Sequence, residues 1–192
     1  MSSKIFTPLG ASNHVQDERA EHDYYATDPK AVDLLLSVEQ LSNKIWEPAC
    51  GEGHLSKGFI RAGYDVRSTD IIYRGYGEKQ SLDFLAYDGP VFDGDIVTNP
   101  PYTYALEFAK KALETVTDGH KVCLFLRVLF LEGQARRVFF DENPPQTVYV
   151  SSSRIICPKN GDFGAIRSSA CAYAWFVWKK GFHGDTVLKW IN

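Results

Sequence analysis

Hydrophobic positions along this chain recur with two spacings, one typical of helices and one typical of buried strands. In residues 103–116, apolar side chains return every three or four positions, which predicts an amphipathic helix. Residues 122–126 are almost continuously apolar, as expected of a strand that is buried on both faces. The same patterns predict helices over 29–40, 53–62 and 134–140, and strands over 44–47, 64–69, 93–98, 147–151 and 170–179.

This alternation of strands and helices predicts an α/β fold, with a mostly parallel sheet and helices on both faces. Asp28 is the predicted N-cap of the first helix, and Pro29 lies in its first turn. The last two predicted strands have no helical pattern between them, so we expect an antiparallel pair at one edge of the sheet. Residues 1–22 are polar and lack periodicity, which predicts a flexible tail before a single domain over 23–192.

Composition narrows the class of protein. With 192 residues, of which 44% are hydrophobic, the chain can bury a sizeable core and does not resemble a disordered sequence. No apolar run reaches the ~18 residues of a membrane span, and residues 1–20 lack a signal-peptide core, so a cytoplasmic location is expected. Neither the cysteines nor the histidines have the spacing of a metal site or a disulfide framework. The net charge of -3 counts against a tight nucleic-acid binder without excluding one, since basic side chains can gather on one face.

A glycine cluster follows the first predicted strand and opens a predicted helix. Gly51 and Gly53 allow the backbone to turn sharply and to approach a ligand closely. Glu47 precedes them, and Asp70 ends the next predicted strand, where an acidic side chain can accept hydrogen bonds from ribose hydroxyls. The dinucleotide pattern G-x-G-x-x-G is not met, because Ser56 stands at its last position. A nucleoside ligand without phosphates therefore fits this turn better.

A second motif, Asn99-Pro100-Pro101-Tyr102, comes directly after the apolar strand predicted over 93–98. The side-chain carbonyl of Asn99 and the backbone carbonyl of Pro100 can accept hydrogen bonds from the two N–H groups of a planar amine. Proline fixes the turn and removes competing N–H donors, and Tyr102 offers a ring on which a flat group can stack. The motif is thus typical of a site that holds a planar amine beside an electrophile.

The chain contains an internal control for this interpretation. Asn143-Pro144-Pro145-Gln146 repeats the first three residues, but it precedes a predicted strand and lacks the aromatic residue. It is typical of an ordinary loop after a helix. The specificity of the first motif therefore depends on Tyr102 and on the strand before it.

Glu-Pro-Ala-Cys-Gly-x-Gly followed by Asn-Pro-Pro-Tyr resembles the motifs of the S-adenosylmethionine-dependent adenine-N6 DNA methyltransferases. The motif order resembles their gamma class and the small phage-type, Dam-like members that have no separate target-recognition domain. The resemblance covers residues 23 to 180. It implies a Rossmann-like class I methyltransferase fold with a seven-stranded sheet, S-adenosylmethionine as cofactor and S-adenosylhomocysteine as product. It also implies DNA as partner, a flipped adenine as target, no metal, and a host cytoplasm if the protein is phage-encoded.

The resemblance also implies roles for individual residues. The catalytic motif comprises Asn99, Pro100, Pro101 and Tyr102. The implied cofactor-binding residues are Tyr25, Thr27, Glu47, Pro48, Ala49, Cys50, Gly51, Gly53, Asp70, Ile71, Asp83, Phe84 and Asn99. Among them, Glu47 corresponds to the residue near the methionine amino group, and Asp70 to the ribose acid. Asp83 would bind the adenine amine of the cofactor, with Phe84 on its ring.

Tyr25 and Thr27 match the segment that closes over the methionine carboxylate in this family. The family segment continues with proline directly after threonine, whereas Asp28 intervenes here.

Contacts with DNA are less specific in the sequence. Arg154, Lys159 and Arg167 lie between the last two predicted strands, and Arg74 lies in the segment 73–80. These side chains are candidates for phosphate contacts or are solvated surface charges.

Two alternatives stay open at this point. The same motif serves the methylation of other planar amines, namely RNA adenine, cytosine N4 and a protein glutamine amide. The second alternative is a catalytically silent binding subunit, and the full set of motif residues counts against it.

Overall fold

The computed structural model describes residues 25–158 and 171–192 of the chain, so the predicted tail over 1–22 lies outside the described residues. Within this part the helices are α1 (Lys30–Leu36), α2 (His54–Arg61), α3 (Ala105–Thr115) and α4 (Gln134–Glu142). The strands are β1 (Lys44–Glu47), β2 (Asp65–Ser68), β3 (Asp95–Thr98), β4 (Lys121–Arg127), β5 (Thr147–Ser151), β6 (Tyr173–Lys179) and β7 (Val187–Ile191). Short 3₁₀ helices cover Tyr102–Tyr104 and Val128–Leu131.

The described strands form one sheet in the order β2-β1-β3-β4-β6-β5-β7. All neighbouring pairs are parallel except the two that involve β6, which runs antiparallel to both β4 and β5. The chain moves outward in one direction from β1 to β2 and then returns to place β3 on the other side of β1. The order of the strands therefore reverses between β1 and β3, and a crevice forms at the carboxyl ends of such strands.

Alternation along the strands divides the core into two layers. In β4, Val122, Leu124 and Leu126 face one layer, and Cys123 and Phe125 face the other, and all five are 0–1% exposed. Helices α1 and α2 pack in the layer of Phe125, whereas α3 and α4 pack in the layer of Leu124. The continuous apolar run of β4 thus follows from the coverage of both faces.

The predicted elements agree with the structure in kind and order. The helix expected over 103–116 is α3, and the antiparallel pair expected from the last two predicted strands is β5 and β6. Helix α1 begins at Lys30 with Pro29 as its N-cap, so the predicted N-cap at Asp28 is one residue too early; the Asp28 carboxyl still accepts a hydrogen bond of 2.9 Å from the backbone N–H of Lys30. Strand β7 was not predicted from the sequence, and it pairs in parallel with β5 at the edge of the sheet.

β7 escaped prediction because its side chains do not follow a burial pattern. Val187, Leu188 and Trp190 are exposed, and Ile191 alone is buried within it. Backbone pairing with β5 holds β7 in place, and its residues show no alternation of apolar and polar positions that would predict a strand. Among the described residues, no helix is both long enough and apolar enough to cross a membrane.

Candidate active site

The carboxyl ends of β1 and β3 and the segment before α1 enclose a cavity. Its lining residues are Tyr25, Thr27, Glu47, Ala49, Cys50, His54, Leu55 and Asn99. Its empty volume is about 210 Å³, including the open mouth. The cavity lies at the reversal of strand order, where ligands bind in open α/β sheets. The glycine loop and the Asn-Pro-Pro-Tyr motif, which are about 50 residues apart in sequence, thus meet here.

Glycine is required at the turn between β1 and α2 for two reasons. Gly51 and Gly53 have φ values of 54° and 78°, in the left-handed region that other residues avoid. A Cβ atom at Gly53 would also lie 2.2 Å from the ring of Tyr76, which packs directly on the loop. The loop is tied to the end of β2, because the N–H of Cys50 donates to the carbonyl of Thr69 at 3.0 Å.

Glu47 is a buried carboxyl group at the floor of the cavity. It is 2% exposed, and burial raises its pKa from 4.5 to about 8. The N–H of Ser56, in the first turn of α2, donates to Glu47 Oε2 at 2.8 Å, and the Ser56 hydroxyl donates to the same oxygen. Ser56 Oγ in turn lies 2.6 Å from Ser68 Oγ of β2. The carboxyl of Glu47 therefore satisfies a backbone N–H group in the first turn of the helix that begins at the cavity.

Asp70 lies beside the glycine loop, as the sequence predicts. Its carboxyl accepts hydrogen bonds from the N–H of Gly51 at 2.8 Å and from the N–H of Ile72 at 2.9 Å. Each carboxylate oxygen keeps a lone pair beyond these bonds, so the group can still accept from a ligand hydroxyl. Ile71 beside it is 48% exposed.

Asp83 and Phe84 do not line the cavity. Asp83 is exposed and accepts a hydrogen bond of 3.0 Å from the N–H of Leu85. Phe84 is 2% exposed and packs with its ring centroid 5.3 Å from both Trp46 and Phe108. The structure thus places Phe84 in the core layer of α3, and the cofactor roles of this pair stay predictions.

The amide of Asn99 has a defined orientation. Its Nδ2 group donates to Thr27 Oγ1 at 2.8 Å and approaches the carbonyl oxygen of Tyr25 at 3.4 Å. A backbone carbonyl only accepts hydrogen bonds, so the NH₂ group must be the one that faces Tyr25. The other end of the amide, Asn99 Oδ1, is buried and has no donor among the described residues. Pro100, which follows, is buried as well.

Tyr102 opens the 3₁₀ helix after the two prolines and lies within a cluster of rings. Its centroid is 5.1 Å from that of Tyr25 and 6.1 Å from that of Tyr173. The guanidinium of Arg127, at the end of β4, lies over the Tyr102 ring at 4.6 Å. Burial, reinforced by the nearby Cys157 thiol, raises the pKa of Tyr102 well above 10.

Unpaired polar atoms gather at one place in the molecule. Four buried side-chain atoms lack a hydrogen-bond partner within residues 25–158 and 171–192, namely Thr98 Oγ1, Asn99 Oδ1, Tyr102 Oη and Arg127 Nε. Thr98 ends β3 and Arg127 ends β4, so all four lie at the carboxyl ends of adjacent strands. Buried polar atoms are paired in most folded proteins, so this grouping indicates an incomplete site.

The residues predicted to contact DNA are dispersed or undescribed. Arg74 is half-buried in the loop after β2, and Arg154 is exposed after β5. Lys159 and Arg167 lie outside the described residues.

Sequence reasoning missed Ser56, Ser68 and Arg127. The signal for Arg127 was available, because a charged residue that directly follows a continuously apolar strand lies at the carboxyl edge of the sheet. No local signal identified the two serines, whose hydrogen bonds join different elements. Among the residues that the structure describes, no group of three or more His, Cys, Asp or Glu could hold a metal ion.

Comparison with known proteins gives a clear result for the fold. No family model and no curated protein match the chain. A candidate class I S-adenosylmethionine-dependent methyltransferase from Listeria monocytogenes aligns over 84% of this chain and 62% of its own length, at 14% identity and a TM-score of 0.58. The chain has the class I methyltransferase fold. It thus spans less than two thirds of the Listeria protein.

Two further structures share this methyltransferase fold. A modification subunit of a candidate type I restriction enzyme from Vibrio vulnificus aligns over 88% of this chain and 46% of its own, at 12% identity and a TM-score of 0.59. A candidate RNA methyltransferase from Pyrococcus horikoshii aligns over 79% and 81%, at 15% identity and a TM-score of 0.53. At such identities the likeness concerns the fold alone.

Proposed function

We propose that this protein transfers a methyl group from S-adenosylmethionine to the exocyclic N6 amine of adenine in DNA. The observation that carries the proposal is the carbonyl oxygen of Asn99, which is buried, lacks a donor among the described residues and belongs to an amide anchored at its other end. Such an oxygen is a ready acceptor for an amine N–H.

The residues at the cavity fit the parts of S-adenosylmethionine. Glu47 offers a carboxyl group to the methionine ammonium, and the amino end of α2 favours the methionine carboxylate. Asp70 lies beside Gly51 with acceptor capacity for ribose hydroxyls. When bound, S-adenosylmethionine supplies an electrophilic methyl group on a sulfonium.

The chain's own residues would act on the amine. The lone pair of an adenine amine is delocalised into the ring, which makes the nitrogen a poor nucleophile. Asn99 Oδ1 and the Pro100 carbonyl, by accepting hydrogen bonds from its two N–H groups, favour a tetrahedral nitrogen whose lone pair is free to bond to the methyl group. The methylated nitrogen then loses one proton to solvent. The rate enhancement would then come from positioning and fixed dipoles, without a strong general base.

Tyr102 would hold the ring of the target base. Stacking on an aromatic side chain contributes ~1–3 kcal/mol per base, which offsets much of the cost of removing an adenine from a duplex. Arg127 covers this ring in the structure, so the guanidinium would have to move for a base to stack there.

A DNA substrate is supported by the type I restriction modification subunits among the structural neighbours, with TM-scores of 0.59. The motif order adds to this support, because it resembles that of adenine-N6 DNA methyltransferases.

The test is transfer of a labelled methyl group from S-adenosylmethionine to unmethylated genomic DNA, followed by identification of the modified nucleoside by mass spectrometry. We expect N6-methyladenine from the wild type and none above background from Asn99→Ala. Asn143→Ala, in the second Asn-Pro-Pro sequence, is the matched control and should retain full activity. Methylated RNA or N4-methylcytosine in parallel reactions, with no N6-methyladenine in DNA, would refute the proposed substrate.

A further inference from the structure

Asn99 can act on an amine only if its carbonyl end faces that amine. The two ends of an amide are nearly equal in size, so shape alone does not select the orientation. With the amide reversed, an NH₂ group would meet the N–H bonds of the target, donor against donor. Some other group must therefore hold the amide in the productive orientation.

Two acceptors on the segment before α1 provide that constraint. Thr27 Oγ1 accepts from Asn99 Nδ2 at 2.8 Å, and the Tyr25 carbonyl lies at 3.4 Å from the same nitrogen. The contact with Thr27 is the shorter and has the better length for an N–H···O bond. Thr27 is also 3% exposed, so water does not compete for its hydroxyl.

The segment that carries Thr27 is held independently of Asn99. The N–H of Ala26 donates to the carbonyl of Pro158 at 3.1 Å, and the N–H of Asp28 donates to the carbonyl of Ile156 at 3.3 Å. Helix α1 begins at Lys30, whose backbone N–H donates to the carboxyl of Asp28 at 2.9 Å. Thr27 therefore presents its hydroxyl from a fixed backbone.

We propose that Thr27 is a positioning residue for the methyl transfer, which acts by fixing the amide of Asn99 with Oδ1 toward the target amine. This rests on the proposed function, and it differs from the role in cofactor binding that the resemblance implies for Thr27. Its hydroxyl serves catalysis through Asn99, whether or not it also contacts the cofactor.

The test compares Thr27→Val, which keeps the branched shape and removes the acceptor, with Thr27→Ser, which keeps the hydroxyl. Kinetics are measured with saturating S-adenosylmethionine and DNA, and cofactor Kd by calorimetry. We expect kcat to fall about tenfold in Thr27→Val and to return to within about twofold of the wild type in Thr27→Ser. Thr27→Ala removes the same acceptor without adding a methyl group and should match Thr27→Val, and thermal melting checks that each variant folds.

A double-mutant cycle adds a readout that a purely structural role would not change. In Asn99→Asp both terminal atoms are oxygens, so the orientation of the side chain ceases to matter. Thr27→Val should therefore have less than about twofold effect on kcat in the Asn99→Asp background. A full tenfold loss in that background would overturn the proposal.

The proposal and the function on which it rests fail in different ways. If the wild type methylates DNA adenine and Thr27→Val has the wild-type kcat at saturating cofactor, the positioning role is refuted and the proposed function stands. If the wild type yields no N6-methyladenine in DNA, both are refuted.

Discussion

The buried carboxyl of Glu47 makes the stability of the fold depend on pH. Its pKa is about 8 in the folded protein against 4.5 for an ordinary glutamate, because burial disfavours the charged form. Below pH 4.5 the group is protonated in both the folded and the unfolded chain. Between the two values the unfolded chain releases the proton and the folded protein retains it. Stability from this group is therefore lost as pH rises toward 8, and it does not change further above that.

The size of the effect follows from linkage. Each pH unit between the two pKa values removes about 1.4 kcal/mol of stability, so roughly 4 kcal/mol is lost between pH 5 and pH 8. The hydrogen bonds from Ser56 lower the pKa of Glu47 and reduce this loss, whereas the charge of Asp70 raises it. Burial is the largest of these influences.

Glu47→Gln tests this reasoning, because the amide keeps an acceptor for the N–H of Ser56 and does not ionise. The free energy of unfolding is measured by urea titration at several pH values from 5 to 8 for the wild type and the variant. As pH rises, the free energy of unfolding of the variant should increase relative to that of the wild type, by roughly 4 kcal/mol across the range. Glu52→Gln, in the exposed part of the same loop, is the matched control for exchanging a glutamate for glutamine. A constant difference between Glu47→Gln and the wild type would refute the assignment of a buried, protonated carboxyl.

Three further variants test other parts of the site. In thermal melts, Gly63→Ala, with φ of 94° and open space around it, should show the cost of backbone strain alone, about 1–3 kcal/mol. Gly53→Ala should destabilise the fold by more than that, since its Cβ would also meet the ring of Tyr76. Tyr102→Phe should retain methylation within about twofold and Tyr102→Ala should lose ~10- to 100-fold in kcat/KM for DNA, because stacking and not the unpaired hydroxyl holds the base. Arg127→Met should change KM for DNA while leaving the Kd of S-adenosylmethionine unaltered, since Arg127 lies over Tyr102 and outside the cavity lining.

The elements that sequence predicted well are those whose burial imposes a period. Strand β4 is covered on both faces and therefore has a continuous apolar run, and α3 is covered on one side and therefore has an apolar stripe. Strand β7 carries exposed apolar side chains and is held by backbone pairing, which leaves no trace in the pattern of residues.

In the site, too, local features were predicted from the sequence and contacts between distant residues were not. The glycine turn and the Asn-Pro-Pro-Tyr turn are local, so their place after a strand is evident from the sequence. The bond between Thr27 and Asn99 joins residues 72 positions apart, and the bond between Ser56 and Glu47 joins two elements. Such contacts depend on how the strands are ordered and on which way each side chain turns. The ring contact between Phe84 and Trp46 is another such case, since it joins residues that are far apart in sequence.

The two sides of the site differ in how completely the protein satisfies its own polar groups. On the side of β1, the carboxyl groups of Glu47 and Asp70 accept hydrogen bonds from Ser56 and from the backbone, so the protein itself supplies partners for them. On the side of β3 and β4, buried atoms of Asn99 and Arg127 have no partner among the described residues. An unpaired buried polar atom costs about 1–3 kcal/mol, so the arrangement opposes stability. Apolar residues at these positions would remove that cost, and a sequence that retains the polar atoms is therefore suited to binding a ligand with complementary donors and acceptors.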